Sequence, residues 1–125
     1  MIVDTDVLIW ASRGNPRAAA LLDREKGFRI SVVTYMEILQ GIRNRQELNS
    51  FNKALRLWSA TVLQINEEIS QRAMFLVERY ALSHSCFLSD GLVAATAIHF
   101  GQSLLTANVK HYGFITGLDV VRFRP

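Results

Sequence analysis

Apolar positions along this chain fall into two rhythms. Short runs alternate with longer stretches whose apolar residues recur three or four apart, and that alternation predicts strands and helices in turn. Ile2-Val3 opens as a strand and is followed by a helix through Val7, Leu8, Ile9 and Trp10 that closes near Arg13-Gly14. Asn15-Pro16 predicts a helix start, with the Asn as cap and the Pro at the first helical position. That helix takes in Ala18 to Leu22, ends on Asp23-Arg24-Glu25-Lys26 and is broken by Gly27. Phe28 to Val32 alternates like a strand, and Thr34 begins a helix to about Arg43. Phe51, Leu55 and Trp58, at spacings of four and three, mark another helix from Gln46 to Trp58, and Ala60 to Ile65 reads as the third strand. Asn66 caps a long helix through Ile69, Ala73, Leu76, Val77 and Tyr80, and Ser89 caps an apolar one from Asp90 to Phe100 that ends at Gly101. Ser103 to Thr106 makes the fourth strand and Asp119 to Phe123 the fifth.

Strand and helix alternate almost throughout. The expected architecture is a three-layer α/β/α domain with a mainly parallel five-stranded sheet and right-handed crossovers. At 125 residues, half of them hydrophobic, the chain reads as one domain over 1–125 with a real core. No apolar run reaches the ~18 to 20 residues that span a bilayer, and the first strand begins at residue 2. A cytoplasmic protein with no membrane partner is expected. The single cysteine, Cys86, excludes an intrachain disulfide framework and reads as a small buried hydrophobe. A net charge of +3 and a pI near 9.4 permit a polyanionic partner without demanding one.

In parallel sheets, active sites gather at the carboxyl ends of strands. Asp4 and Asp6 follow the first strand, Thr106 and Asn108 follow the fourth, and Glu37 and Asp90 lie in first turns of helices that border the same edge. Carboxylates converging from distant segments suit a hard divalent cation. Each acid also has a plainer role. Asp4 or Asp6 is placed to cap the first helix, and Asp90 complements a helix N-terminus. Thr34-x-x-Glu37 fits a capping box, with Tyr35, Ile38, Leu39 and Ile42 as the apolar face, so by pattern alone Glu37 is a solvent-facing capping glutamate. Gly41, one turn on, leaves room beside it. His84, His99 and His111 lack zinc-ligand spacing and read as surface or partly buried polar residues. No Gly-rich phosphate loop follows any strand. Trp10 and Trp58 fall on apolar helical faces and are expected in the core, while Arg13, Arg17, Arg43, Arg45 and Lys110 are candidates to line an anionic groove.

Taken in order, Ile2-Val3-Asp4-Thr5-Asp6-Val7-Leu8, Val33 to Gly41, Ser89 to Ala97 and Leu105-Thr106-Ala107-Asn108 resemble the successive motifs of a PIN domain, in particular those of the VapC toxins. The resemblance covers the whole chain. It implies a metal-dependent endoribonuclease, the toxin of a toxin–antitoxin pair, acting on RNA, neutralised by a small antitoxin and usually a homodimer. It further implies that Asp4, Glu37 and Asp90 hold Mg2+ or Mn2+, that Asp6 supports them, and that Thr106 and Asn108 position water or phosphate. One departure stands out: Asn108 occupies the family's fourth acidic position, and His111 follows three residues later. Asparagine can coordinate through its carbonyl but brings no charge. That loss keeps open a non-catalytic RNA-binding or regulatory PIN-like protein. A receiver-like signalling domain is the other rival, disfavoured because the third strand ends at Asn66 where a phospho-accepting aspartate is expected.

Overall fold

A computed structural model describes all of residues 1–125. Its elements are β1 (Ile2–Val3), α1 (Thr5–Ser12), α2 (Pro16–Arg24), β2 (Arg29–Ser31), α3 (Val32–Gly41), α4 (Arg45–Leu57), β3 (Thr61–Leu63), α5 (Glu67–His84), α6 (Leu88–His99), β4 (Leu104–Thr106), a 3-10 turn (Val109–His111) and β5 (Val120–Arg122). The five strands pair in the order β3-β2-β1-β4-β5 and every pairing is parallel. The chain therefore winds one way from β1 to β3 and then crosses to β4 on the other side of β1. A crevice opens outside the carboxyl ends of adjacent strands where the winding reverses. Here that crevice lies between β1 and β4. The order also disposes of a receiver-like arrangement, in which β3 neighbours β1; here β3 is an edge strand.

Side chains on successive strand residues face opposite layers. Ile2 and Leu104, in register, join α5 and α6 through Ile69, Ala73, Leu76, Val93 and Ala97. Val3 and Leu105, also in register, join α1, α2 and α4 through Val7, Leu8, Ala18, Leu22 and Leu55. The expected three layers follow from this alternation. Cys86 is buried among the α5–α6 cluster as expected.

Asn15 and Asn66 cap α2 and α5 by accepting from the N–H groups of Ala18 and Ile69. Two predicted starts are corrected. Helix α3 begins at Val32 rather than Thr34, because Ser31 is at once the last residue of β2 and the cap that accepts from the Val33 N–H. Thr34 is buried inside the helix, so the Thr34–Glu37 capping box does not exist. Helix α6 begins at Leu88, with Phe87 at the cap and no side-chain cap bond, which places Ser89 inside the first turn. Trp10 is also corrected: it is 36% exposed, out of phase with the buried Val7 and Leu8. Trp58 packs against the core as predicted, its indole donating to Asp23 at 2.9 Å.

Helices α5 and α6 approach closely at Gly91, where an added Cβ would stand 2.7 Å from Cγ2 of Val77 and 3.4 Å from the Ala73 carbonyl oxygen. Valine is stiff at χ1 within a helix, so its methyl cannot swing clear. Gly91→Ala is therefore expected to destabilise the fold by ~1 to 3 kcal/mol in denaturant melts, and Val77→Ala to restore most of the loss. A Gly91→Ala protein as stable as the wild type contradicts the tight packing beside Asp90.

Candidate active site

Asp4 is the residue immediately after the central strand. Its N–H donates to the Leu105 carbonyl at 2.9 Å, which extends the β1–β4 ladder by one bond and fixes the carboxylate at the crevice. Asp4 also caps α1, its Oδ1 accepting from the Thr5 N–H at 2.9 Å. Capping and site placement are thus not alternatives. Oδ2 accepts from the Thr106 hydroxyl at 2.9 Å, and that hydroxyl in turn accepts from the Asn108 N–H at 3.0 Å. Asp6, two residues on, accepts from the Ala107 N–H at 2.9 Å through Oδ2, with the Thr106 hydroxyl farther off at 3.4 Å. Its other oxygen, Oδ1, is buried without a hydrogen-bond partner.

These two carboxylates carry an electrostatic load. Burial, then the charge of Asp6, pushes the Asp4 carboxyl up to about 6, against the hydrogen bonds from Thr106 and Thr5 that favour its ionised form. Burial raises the Asp6 carboxyl as well. A cation beside them would relieve both the repulsion and the orphaned oxygen.

Glu37 reaches the same edge from α3. Its Oε1 accepts from the Thr5 hydroxyl at 2.7 Å, and that hydroxyl lies 3.1 Å from the hydroxyl of Thr34. Thr5 follows Asp4 directly, so Glu37 is tied to the β1 end rather than turned to solvent, and the capping reading of Glu37 gives way. The space near Gly41 is open, since an added Cβ there meets nothing within 4 Å. That position gives room but does not demand glycine.

Asp90 enters from the first turn of α6 and is held on both oxygens. Oδ1 faces the Tyr112 hydroxyl at 3.3 Å and Oδ2 faces Nδ1 of His111 at 3.2 Å. Tyr112 is almost wholly buried and lies against both Asp4 and Asp90; burial and these two charges hold its phenol far above the ordinary range. Tyr112 thus sits between the first and third acids. Sequence reasoning missed both Tyr112 and Thr5, because neither belongs to an acidic or periodic pattern and each acts through a contact with a distant segment.

The acids are linked through hydroxyl groups rather than drawn into one cage, and no three His, Cys, Asp or Glu side chains stand together at metal-binding spacing. The donors at the edge are nonetheless almost all oxygens, of carboxylates and hydroxyls, the kind that hard divalent cations take. Asn108 is exposed at the start of the 3-10 turn, where its main chain fixes Thr106. Of the proposed groove residues, Arg43 is occupied by Glu47 at 3.1 and 3.3 Å. Arg13, Arg17, Arg45 and Lys110 are exposed and form no ion pair.

Comparison with known proteins finds relatives along almost the whole chain. Residues 1–113 match the PIN domain family. Ribonuclease VapC19 of Mycobacterium tuberculosis is 32% identical, over 94% of this chain and 96% of its own length. Ribonuclease VapC1 of Rickettsia felis is 30% identical, over 97% of this chain and 94% of its own. A solved toxin-antitoxin complex from Klebsiella pneumoniae contains a chain that superposes with a TM-score of 0.76 at 26% identity, covering 96% of this chain and 94% of that one.

Proposed function

This chain belongs to the PIN domain family and resembles its VapC ribonucleases along almost its full length, and on that premise we propose that it is a divalent-metal-dependent endoribonuclease, the toxin of a toxin–antitoxin pair. The observation that carries the reading is the buried Asp4 carboxylate at the β1–β4 crevice, loaded by Asp6 and joined through Tyr112 and Thr5 to acids from two other helices. Asp4, Glu37 and Asp90 would hold Mg2+ or Mn2+, with Asp6 in support. Such an ion, once bound, lowers the pKa of water and stabilises charge developing on a scissile phosphate. The chain's own groups set the stage: Thr106 orients Asp4, Thr5 orients Glu37, and Tyr112 fixes Asp90. The amide of Asn108, exposed beside Thr106, positions water or phosphate without adding charge.

Purified protein incubated with tRNA, ribosomal RNA and messenger RNA pools tests this reading. Site-specific cuts by the wild type that vanish in Asp90→Asn support it; binding without any cut supports the non-catalytic alternative, for which the uncharged Asn108 speaks. Glu37→Gln keeps an acceptor for Thr5, so its stability is expected to change by less than ~0.5 kcal/mol, while cleavage falls by roughly a hundredfold. Loss of stability with full activity returns Glu37 to a structural role. Asn108→Asp is expected to tighten Mg2+ binding several-fold in calorimetry, by restoring a negative charge to the edge; an unchanged affinity places residue 108 outside the ion's reach.

The cognate partner is a small antitoxin, as in the complexes to which this fold is similar. A homodimer is supported by the large apolar residues left exposed on the α5–α6 layer, Met74, Phe75, Phe87 and Leu88. No helix is long and apolar enough to cross a membrane; the RNA that the proposed activity would cut places its action in the cytoplasm.

A further inference from the structure

We propose that His111 is itself a ligand of the ion at this edge, giving an otherwise all-oxygen site one nitrogen donor and favouring first-row transition ions over Mg2+; the proposal rests on the metal-site reading above. Nδ1 of His111 stands 3.2 Å from Oδ2 of Asp90. Two atoms bound at right angles to one octahedral ion, each by a bond of about 2.1 Å, lie about 3 Å apart. The pair, in hydrogen-bonding contact without an ion, is therefore also at the spacing of neighbouring ligands. The opposite oxygen of Asp90 is taken by the Tyr112 hydroxyl, which leaves Oδ2 as the oxygen turned toward the imidazole.

The main chain holds His111 where this requires. Its N–H donates to the Asn108 carbonyl at 3.0 Å, the Asn108 N–H donates to the Thr106 hydroxyl, and that hydroxyl donates to Asp4. The imidazole and the central carboxylate thus hang from one short turn. The ring is 55% exposed and makes no other hydrogen bond, so an ion arriving from solvent meets it before the buried Asp4. A neutral nitrogen adds a donor without adding to the repulsion between Asp4 and Asp6. This matters in a chain that has Asn108 where a further charge would stand. Imidazole is a weak ligand for Mg2+ and a strong one for Co2+ and its neighbours.

Mg2+, Mn2+ and Co2+ are titrated by calorimetry into wild type and His111→Ala, and the Mn2+ complexes are examined by pulsed electron paramagnetic resonance. A coordinated imidazole predicts a directly bonded nitrogen coupling in the wild type that disappears in His111→Ala. It also predicts a loss of Co2+ affinity of about tenfold or more with Mg2+ affinity nearly unchanged. Absence of the nitrogen coupling, or an equal loss for all three ions, overturns the proposal, because a histidine that merely steadies Asp90 affects every ion alike. If His111→Ala changes nothing while the wild type binds metal, His111 is no ligand and the carboxylate site stands. If no ion binds the wild type at millimolar concentration, the metal-site reading falls with it.

Discussion

Asp4→Asn is expected to lower RNA cleavage by roughly a thousandfold or more, about 4 kcal/mol of barrier, while making the metal-free protein more stable near neutral pH. The two effects have one cause. In the wild type the Asp4 carboxyl, ordinarily near 3.8, is pushed up to about 6 by burial and by Asp6. The folded protein therefore binds a proton more tightly than the unfolded chain does. Below pH ~4 both states are protonated and the group contributes nothing to the pH dependence. Between ~4 and ~6 the unfolded chain gives up its proton first, so stability falls as pH rises, by roughly 3 kcal/mol in all for a shift of about two units. Asn cannot ionise and removes that decline. Denaturant melts in chelator across this window check it: a metal-free wild type as stable at pH 7.5 as at pH 4.5, or a steeper decline in Asp4→Asn, contradicts the buried charge.

The second large effect is the response to metal. An ion that binds only the folded protein stabilises it by mass action, approaching ~2.7 kcal/mol at a hundredfold excess over its dissociation constant. Proton and ion compete for the same Asp4 carboxylate, so the rise in melting temperature with Mn2+ is expected to be large at pH 7.5 and small at pH 5, where Asp4 is protonated for most of the time. Scanning calorimetry at both pH values settles it. Equal rises at the two values place the ion elsewhere, and no rise at either means that the acids hold only one another's hydrogen bonds.

Much of this arrangement is written locally in the chain. The α/β alternation is legible because Asn15, Asn66, Gly27 and Gly101 punctuate it, and Asp4 is conspicuous because the central strand ends on it. The misread starts have local causes too. At Ser31 strand and helix share a residue, so no loop separates them and the more familiar Thr34-x-x-Glu37 spacing prevails on paper. At Phe87 the cap is an exposed aromatic with no polar side chain to announce it.

The pairings that organise the site are of another kind. Thr5 with Glu37, Tyr112 with Asp90 and Thr106 with Asp4 join residues 32, 22 and 102 positions apart. They exist only once α3 lies against α1, β4 lies beside β1 and α6 packs on the sheet. Residue type indicates that such a hydroxyl can bond a carboxylate, but not which one it will meet. The family resemblance moved Glu37 toward the site where periodicity would have left it in solvent. The Thr5 bond now supplies a physical reason.

In the proposed function the Asp4 edge cleaves RNA through a divalent ion. Its most direct test is cleavage of a defined RNA by purified protein in EDTA, followed by addition of excess Mn2+ to the same sample, with Asp4→Asn treated alongside. No cutting is expected in EDTA, with recovery on adding Mn2+ in the wild type and none in Asp4→Asn. Cutting at an undiminished rate in EDTA, or Mn2+-restored cutting by Asp4→Asn, contradicts it.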